Sequence, residues 1–575
     1  MMGAPVGWVR VLVVAAALLC ALPALSAVIT TKHNLSASGP GTVKAATETQ
    51  ICVFCHAPHN FSPSAPLWNR QTPGTNYTPY TSSTEKSTAG QPTRGSLLCL
   101  SCHDGTIALG QVLSRAAPIA MAGGVSTMPA ASASRLGTDL SGDHPVSIAY
   151  TSALASARGE LADPGTLTGV VRLDSTGQLQ CSSCHDAHND PYGKFLLMPN
   201  TGSALCKVCH IKNYWSASDH ALSTKSWNGV APNPWTHTSG TTVAANACES
   251  CHRPHTAPGK KWLQNAVTEE GNCYPCHNGN VAAKNMQTEF TGKISIHPVA
   301  NYTGVHDPAE SAVVQSRHVE CVDCHNPHAS NATTGTLSGS LIGVRGVDIN
   351  GTPLNAVTAE YPICFRCHAD STNKPVPRTT RQIAQGNTRL EFNLSNPSYH
   401  PVAGPGKNTN VPSLLPPWTI ASVMTCGDCH NSNTGPGAGG TGPRGPHGSI
   451  YPSLLERQYI TTDRTTESAA AYALCYKCHN RTKFITATNG ASPFGTDSGH
   501  RKHVLEERTP CNVCHDPHGV SSTQGTPANN SKLINFDTTI VKPTTGGRLQ
   551  FVSTSTNRGT CYLVCHGQDH NPKSY

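Results

Sequence analysis

The stretch Cys52-Val-Phe-Cys55-His56-Ala-Pro-His59 contains the pattern on which the rest of the chain is built. Its central part, C-x-x-C-H, recurs along the 575 residues and begins at Cys52, Cys99, Cys181, Cys206, Cys248, Cys273, Cys321, Cys364, Cys426, Cys475 and Cys511. A twelfth motif is longer by one residue, Cys561-Tyr-Leu-Val-Cys565-His566. Apart from Cys20, every cysteine belongs to one of these motifs, so none remains for a disulfide.

C-x-x-C-H is the attachment motif of c-type haem, in which both thiols bond to the ring and the histidine binds iron. Zinc ribbons and thioredoxin-like pairs also use C-x-x-C, but neither requires the histidine. We therefore predict twelve covalent haems c, whose second cysteines are Cys55, Cys102, Cys184, Cys209, Cys251, Cys276, Cys324, Cys367, Cys429, Cys478, Cys514 and Cys565. The predicted iron ligands, here called the proximal histidines, are His56, His103, His185, His210, His252, His277, His325, His368, His430, His479, His515 and His566.

The composition indicates that haem must replace an ordinary apolar core. Only 37% of the residues are hydrophobic and 6% aromatic, while glycine (51) and proline (43) are abundant. We predict a mostly irregular, haem-cored fold with short helices and a few hairpins. A short helix is expected at each motif, and hairpins are expected at 170–180 and around Asn350-Gly351.

The motifs form six consecutive doublets, which is an internal repeat. We divide the chain into 28–165 with haems 1–2, 166–300 with haems 3–6, 301–415 with haems 7–8, and 416–575 with haems 9–12.

Residues 1–27 have the pattern of a signal peptide: Arg10, an apolar run from Val11 to Leu22, and small residues up to Ala27. A membrane anchor and a lipoprotein modified at Cys20 are the alternatives. We expect an exported protein, periplasmic or on the outer surface. The formal charge of +8 does not indicate a nucleic-acid binder, because haem propionates would reverse its sign.

Seventeen further histidines can supply the second axial ligand, whereas methionines are few and lie in no repeated context. The strongest candidates follow a proximal histidine by three residues (His59, His188, His255, His328, His518) or precede proline (His144, His297, His400). His318, His33, His447 and His500 come next, His220, His237 and His503 are undecided, and His306 and His570 are expected to bind no iron. In His-x-x-His, the second histidine cannot pass around its own ring, so it should bind a different haem.

The segments Thr31-Lys-His-Asn-Leu-Ser36, Cys52 to Asn60, Leu67-Trp-Asn-Arg70 and Cys99 to Gly105 resemble the secreted multihaem c-type cytochromes of metal-reducing and related anaerobic bacteria. The doublets resemble the doubled C-x-x-C-H family. This resemblance implies electron transfer between the periplasm, the outer surface and external acceptors. The partners it implies are other cytochromes and metal oxides or electrodes. Self-association is a separate hypothesis, which a filament would require. Two features depart from the family pattern: His430 has no x-x-H, and the motif at Cys561 is stretched.

We interpret the chain as an electron carrier of anaerobic respiration rather than an enzyme. The alternative is a multihaem oxidoreductase acting on a small nitrogen or sulfur compound, which would need an iron with an open position. No C-x-x-C-K motif is present, and histidines outnumber the irons that need them. A structural or haem-storing filament is a third interpretation, which no sequence feature distinguishes.

Overall fold

The computed structural model describes residues 27–59, 67–302, 304–331, 337–486, 494, 499–555 and 558–575. The predicted signal peptide therefore lies outside the described residues, except for Ala27. The chain forms two compact units. The first contains the chain up to Ser216 with His220–Ser226 and Asn233–Asn272, and the second contains Ala217–Asp219, Trp227–Pro232 and Cys273–Tyr575. The four segment boundaries predicted from the sequence stay predictions.

The α-helices in the described residues are short. They are α1 (Arg94–His103), α2 (Ser152–Arg158), α3 (Ala204–Lys207), α4 (Asp219–Leu222), α5 (Val243–Asn246), α6 (Glu269–His277), α7 (Cys321–Cys324), α8 (Tyr361–His368), α9 (Thr388–Glu391), α10 (Cys511–Cys514) and α11 (Pro527–Asn530). Single 3₁₀ turns cover five further motifs at Cys52–Phe54, Cys181–Ser183, Ala247–Ser250, Cys426–Asp428 and Cys475–Lys477. No described helix is long and apolar enough to cross a membrane.

Most strands have only two residues. They are β1 (Ile148–Ala149), β2 (Gln178–Leu179), β3 (Ser295–Ile296), β4 (Gly346–Val347), β5 (Pro353–Leu354), β6 (Ser398–Tyr399), β7 (Gly448–Ser449), β8 (Gly519–Val520) and β9 (Val541–Lys542). The longer strands β10 (Gln550–Ser555), β11 (Arg558–Cys565) and β12 (Gln568–Ser574) lie side by side in that order, and β9 also pairs with β11. The other pairs are β1–β2, β3–β7, β4–β5 and β6–β8, all antiparallel.

The fold class is confirmed: loops dominate, with short helices and small antiparallel sheets. The hairpin at Asn350-Gly351 is confirmed as β4–β5, with Gly351 at a φ of 88° that suits glycine. The hairpin predicted at 170–180 is wrong. Asp174 does begin a turn, because its backbone N–H bonds to the carbonyl of Gln178, but the strand after the turn pairs with Ile148–Ala149 instead.

The apolar core is divided into small clusters that adjoin the motif cysteines. One in the first unit joins Ala45, Val53 and Phe54 next to Cys55. One in the second unit joins Val347 and Phe365 with other apolar residues next to Cys426. The described chain is therefore organised around the motif turns and not around one continuous apolar core.

Candidate haem-binding sites

Eleven motifs fold into a helix or a single helical turn, as expected. In the motif at Cys52, the backbone N–H of His56 donates to the carbonyl of Cys52 at 2.8 Å, and the motif at Cys511 repeats this bond at 2.9 Å. On such a turn, residues three apart have Cβ atoms about 5–6 Å apart. Both thiols can therefore reach one macrocycle, and the geometry of these motifs fits haem c.

The proximal histidines are oriented through Nδ1. In six of them, Nδ1 lies 2.7–3.0 Å from a backbone carbonyl: His103, His185, His252, His325, His430 and His515. Donation from Nδ1 leaves Nε2 as the nitrogen that can bind a metal, and it fixes the plane of the ring. The residues present thus fit the ligand role in detail.

Several accepting carbonyls lie on tight turns that the sequence analysis did not identify. Lys194-Phe195, Trp262-Leu263, Ser453-Leu454 and Lys532-Leu533 each place two consecutive non-glycine residues at φ between 54° and 62°. Such backbone is costly and is found where the surroundings enforce it. The available signal was a recurring leucine or phenylalanine 10 to 24 residues after a proximal histidine.

Eight proximal histidines each have the ring of another histidine at nearly the same distance, with centroids 6.0–6.3 Å apart. The pairs, proximal histidine first, are His56–His188, His103–His33, His185–His255, His210–His144, His325–His447, His368–His297, His430–His518 and His515–His500. Imidazole nitrogens bind transition metals at about 2.0–2.1 Å, so rings on opposite sides of one metal have centroids about 6 Å apart. The second ring of each pair is here called the distal histidine.

Two of the His-Pro histidines are joined to other histidines through their backbones. The N–H of His297 donates to the carbonyl of His447 at 3.1 Å, and that of His400 to the carbonyl of His518 at 3.1 Å. These bonds continue the two-residue pairs β3–β7 and β6–β8. In both cases a His-Pro histidine is joined to a second histidine, His447 or the x-x-H residue His518, and the two form one strap.

The x-x-H histidines bridge motifs that are two apart in the chain. His188 follows the third motif but faces His56 of the first, His255 links the fifth to the third, and His518 links the eleventh to the ninth. None of these three faces the proximal histidine of its own motif. His59 is exposed and borders residues 60–66, which lie outside the described chain, and we assign no haem to His59 or His328.

This two-motif step explains the missing x-x-H after His430. By this step, a histidine three residues after His430 would face the proximal histidine of the seventh motif, His325. The ring of His325 instead faces His447, with centroids 6.0 Å apart. His447 lies in a loop, 17 residues after His430. His447 therefore occupies the place that the ninth motif leaves open.

Two carboxylates orient distal histidines and were missed by the sequence analysis. Nδ1 of His518 lies 2.9 Å from Oε2 of Glu391, and Nδ1 of His255 lies 3.2 Å from Oδ1 of Asp143. Burial lowers the pKa of His518, but the Glu391 carboxylate outweighs it and the net shift is upward. Asp143 directly precedes His144, so the Asp-His-Pro sequence was a signal for its role.

Burial holds three proximal rings in the neutral form that binds metal. Burial, with a smaller contribution from the nearby His144, lowers the pKa of His210 to about 3. Burial lowers the pKa of His515 to about 4. It likewise lowers the pKa of His479 to about 4, with His400 next in effect. Because His400 affects the pKa of His479, it lies near the proximal histidine of the tenth motif.

The thiols of consecutive motifs lie close enough to act on each other's pKa. Within doublets these include pairs of second cysteines: Cys55–Cys102, Cys184–Cys209, Cys324–Cys367, Cys429–Cys478 and Cys514–Cys565. Between doublets the first cysteines interact: Cys99–Cys181, Cys206–Cys248, Cys364–Cys426 and Cys475–Cys511. Motifs 1–5 in the first unit, and motifs 7–12 in the second, therefore follow one another in space as they do in sequence.

The twelfth motif does not form the expected short helix, because Cys561 and Cys565 both lie in strand β11. Four residues of strand separate two Cα atoms by about 13 Å, with Leu563 buried between the two cysteines. Nε2 of His566 is 3.0 Å from Oδ1 of Asp463 instead of being open. The ring of His503 faces His570, which had been expected to bind nothing, with centroids 6.2 Å apart. In this conformation the motif does not fit haem c.

Two other histidines lie away from the positions expected for ligands. The prediction that His318 is an axial ligand disagrees with the structure, where Nδ1 lies 2.6 Å from Oγ of Ser316 and Nε2 lies 3.2 Å from Oε2 of Glu310. Both ring nitrogens are engaged by side chains of a buried polar cluster. Nε2 of His237 lies 2.8 Å from the carbonyl of Glu249, so this undecided histidine is not placed for iron.

Comparison with known families agrees with this geometry. Residues 240–396 match the family described as outer membrane cytochrome MtrC/MtrF-like, domains II/IV. Residues 175–213 and 419–484 match the doubled CXXCH motif family. The first match spans motifs 5 to 8, and the second spans the doublets that begin at Cys181 and Cys426.

The chain is also similar to the multiheme cytochrome MtrA of Shewanella baltica (strain OS185). The two are 27% identical over 203 residues, which cover 33% of this chain and 43% of that protein. The chain thus spans less than half the length of this curated relative. Over these parts of its length the chain is therefore similar to multihaem c-type cytochromes with the doubled C-x-x-C-H motif, which agrees with its motif turns and paired histidines.

Proposed function

We propose that the protein relays single electrons along haems attached at the eleven turn-forming motifs. The observation that carries this proposal is the pairing of eight proximal histidines with a second histidine at 6.0–6.3 Å. When bound, haem c supplies a one-electron ferric/ferrous couple, and two imidazole ligands leave the iron without an open position for a substrate. Carrier chemistry is therefore favoured over catalysis.

The chain's residues determine the order of the relay. The cysteines would hold each ring at both thiols, and the proximity of thiols from consecutive motifs brings neighbouring attachment points together in sequence order. A distal histidine such as His188 then ties its own motif to another two steps away. The attachment points are thus held together from two directions, which limits how far the spacing between redox centres can fluctuate.

The same residues set the environment of each centre. Nδ1 donation to carbonyls fixes the ring planes, and two carboxylates strengthen the electron donation of His255 and His518. Burial of the imidazoles excludes water and keeps them neutral. Differences between these surroundings give the centres different potentials.

We further infer that the protein is exported and works in the periplasm or on the outer surface. The family matched over residues 240–396 is described as an outer membrane cytochrome. The partners we propose are other cytochromes and, on the outer surface, metal oxides or electrodes. The twelfth haem that the sequence predicts is outside the proposed relay, because the motif at Cys561 has a different conformation.

Protein-film voltammetry of the purified holoprotein tests the electron-transfer function. The film should show reversible one-electron waves that account for every attached haem, and adding nitrite or hydroxylamine should produce no catalytic current. A sustained catalytic current with either compound would contradict the proposal and favour the oxidoreductase. Protease treatment of intact cells, followed by haem staining, tests the location: loss of the band supports the outer surface, and retention supports the periplasm.

A further inference from the structure

A cluster in the second unit brings together four side chains, two histidines and two carboxylates. His306, Glu310, His318 and Asp323 each offer one nitrogen or oxygen, and these four atoms lie within 4.8 Å of one another. Nδ1 of His306 is 3.2 Å from Oδ1 of Asp323, and Nε2 of His318 is 3.2 Å from Oε2 of Glu310. The four atoms are therefore close enough together to bind one ion.

The cluster is separate from the axial ligands of the neighbouring motifs. Asp323 lies between the cysteines of the seventh motif, but the proximal His325 of that motif already faces His447. The proximal His368 of the eighth motif faces His297. Neither His306 nor His318 is needed at these irons.

The cluster contains two carboxylates and is contacted by one guanidinium. Its carboxylate side chains are 15% and 6% exposed, and Arg366 is the cation that contacts both. N–H groups of Arg366 donate to Glu310 and, at 3.2 Å, to Oδ1 of Asp323. When both imidazoles are neutral, as metal binding requires, two carboxylates against one guanidinium leave one negative charge, which a bound cation would compensate.

The orientation of the ligands is supported from outside the cluster. The hydroxyl of Ser316 lies 2.6 Å from Nδ1 of His318, which directs Nε2 inward. Oδ2 of Asp323 accepts the backbone N–H of Glu320 at 2.8 Å. Fixed outer partners of this kind are typical of ligands in metal sites.

We propose that His306, Glu310, His318 and Asp323 bind one divalent transition-metal ion that is not a haem iron. Two imidazole nitrogens with two carboxylate oxygens suit zinc, manganese or ferrous iron, whereas calcium and magnesium prefer oxygen ligands throughout. The ion compensates the excess negative charge. It also places a fixed positive charge between the attachment turns of motifs 7 and 8, which favours the reduced form of the haems there.

Zinc is the probe that tests this site, because haem iron cannot mask it. Holoprotein treated with chelator, loaded with Zn²⁺ and passed through gel filtration should retain one zinc per chain by elemental analysis. X-ray absorption at the zinc edge should show nitrogen and oxygen ligands without sulfur. Glu310→Gln and His306→Gln should each reduce retained zinc at least tenfold. Glu467→Gln, which alters a buried carboxylate paired with Arg481, is the matched control and should retain zinc.

Haem content and the low-spin spectrum establish that each variant is folded. Because Glu310 contacts Arg366, the His306 variant provides an independent test should Glu310→Gln lose haem. Wild-type protein that retains no zinc after gel filtration would overturn the proposal. Equal retention by wild type and folded His306→Gln protein would also overturn it, since the metal would then lie elsewhere.

Discussion

The eleventh and twelfth motifs adjoin the same apolar cluster, yet they differ in the property that haem attachment requires. Cys511–Cys514 is a helical turn, and its proximal His515 faces His500 with centroids 6.1 Å apart. Cys561 and Cys565 lie in a strand, and their histidine is bound to Asp463. The comparison teaches that a cysteine pair followed by histidine predicts chemistry only where the backbone brings the thiols together.

The physical reason for the difference lies in the neighbours of strand β11. It pairs with β12 on one side and with β10 and then β9 on the other, so its backbone groups are bonded in the extended form. Tyr562, Leu563 and Val564 between the cysteines include residue types that favour strands. One inserted residue therefore accompanies a change of secondary structure, not merely a longer turn.

The largest contrast should appear when the cysteines are removed. Cys511→Ala with Cys514→Ala should abolish one covalent haem and with it most of the folded second unit, since even one Phe→Ala cavity costs about 3–5 kcal/mol and a macrocycle is far larger. Cys561→Ala with Cys565→Ala should leave haem content unchanged. Intact mass and yield of haem-stained protein measure both effects. Equal haem loss in the two variants would contradict the prediction that, of these two motifs, only the eleventh binds haem.

Removing single histidines should show the difference between the ninth and twelfth motifs in the spin state of one haem iron. His518→Ala should convert one ferric haem, that of the motif at Cys426, from low spin to high spin, because His518 is the ring facing His430. His566→Ala should cause no change of spin state. Electron paramagnetic resonance of the oxidised proteins provides the measurement. An unchanged spectrum for His518→Ala would show that His518 is not an axial ligand.

Leu563 reports on the strand itself. Its side chain is 5% exposed in a cluster with Val513, Phe536 and Phe551, so Leu563→Ala should destabilise this region by about 2–5 kcal/mol. Thr560→Ala, on the opposite face of β11, should change stability by about 0.5 kcal/mol or less. Denaturant unfolding followed by circular dichroism compares them. Equal stability of the two variants would mean that the segment does not form this strand.

The smallest effect concerns the carboxylate behind one distal ligand. Glu391→Gln should weaken the electron donation of His518 and raise the reduction potential of one haem, without changing its spin state. Asp463→Asn, beside the histidine of the twelfth motif, should leave all potentials unchanged. A redox titration followed optically measures both variants. A shift of equal size in the two would contradict the assignment.

The sequence predicted what depends on local pattern. The irregular fold class and a turn at each of eleven motifs follow from residues adjacent in the chain, as does the hairpin at Asn350-Gly351. That His188, His255 and His518 face motifs other than their own also follows from the short x-x-H spacing.

What depends on packing between distant segments could not be predicted. No spacing rule indicates that His447 stands in for the x-x-H missing after His430, or that His318 joins His306 and Asp323. The same limit applies to Gln178–Leu179, which pairs with Ile148–Ala149 and not with the residues just before it. The extended conformation of the twelfth motif depends on pairing with β9, β10 and β12, none of which the motif itself encodes.

The central claim is that a turn-forming backbone, and not the cysteine spacing alone, determines where haem is attached. The intact mass of the mature holoprotein, measured under denaturing conditions that keep thioether bonds, tests it most directly. The account predicts the mass of the chain with eleven haems and two free thiols, at Cys561 and Cys565. A mass corresponding to twelve haems and no free thiol would contradict it, and would show that the strand opens to accept the last ring.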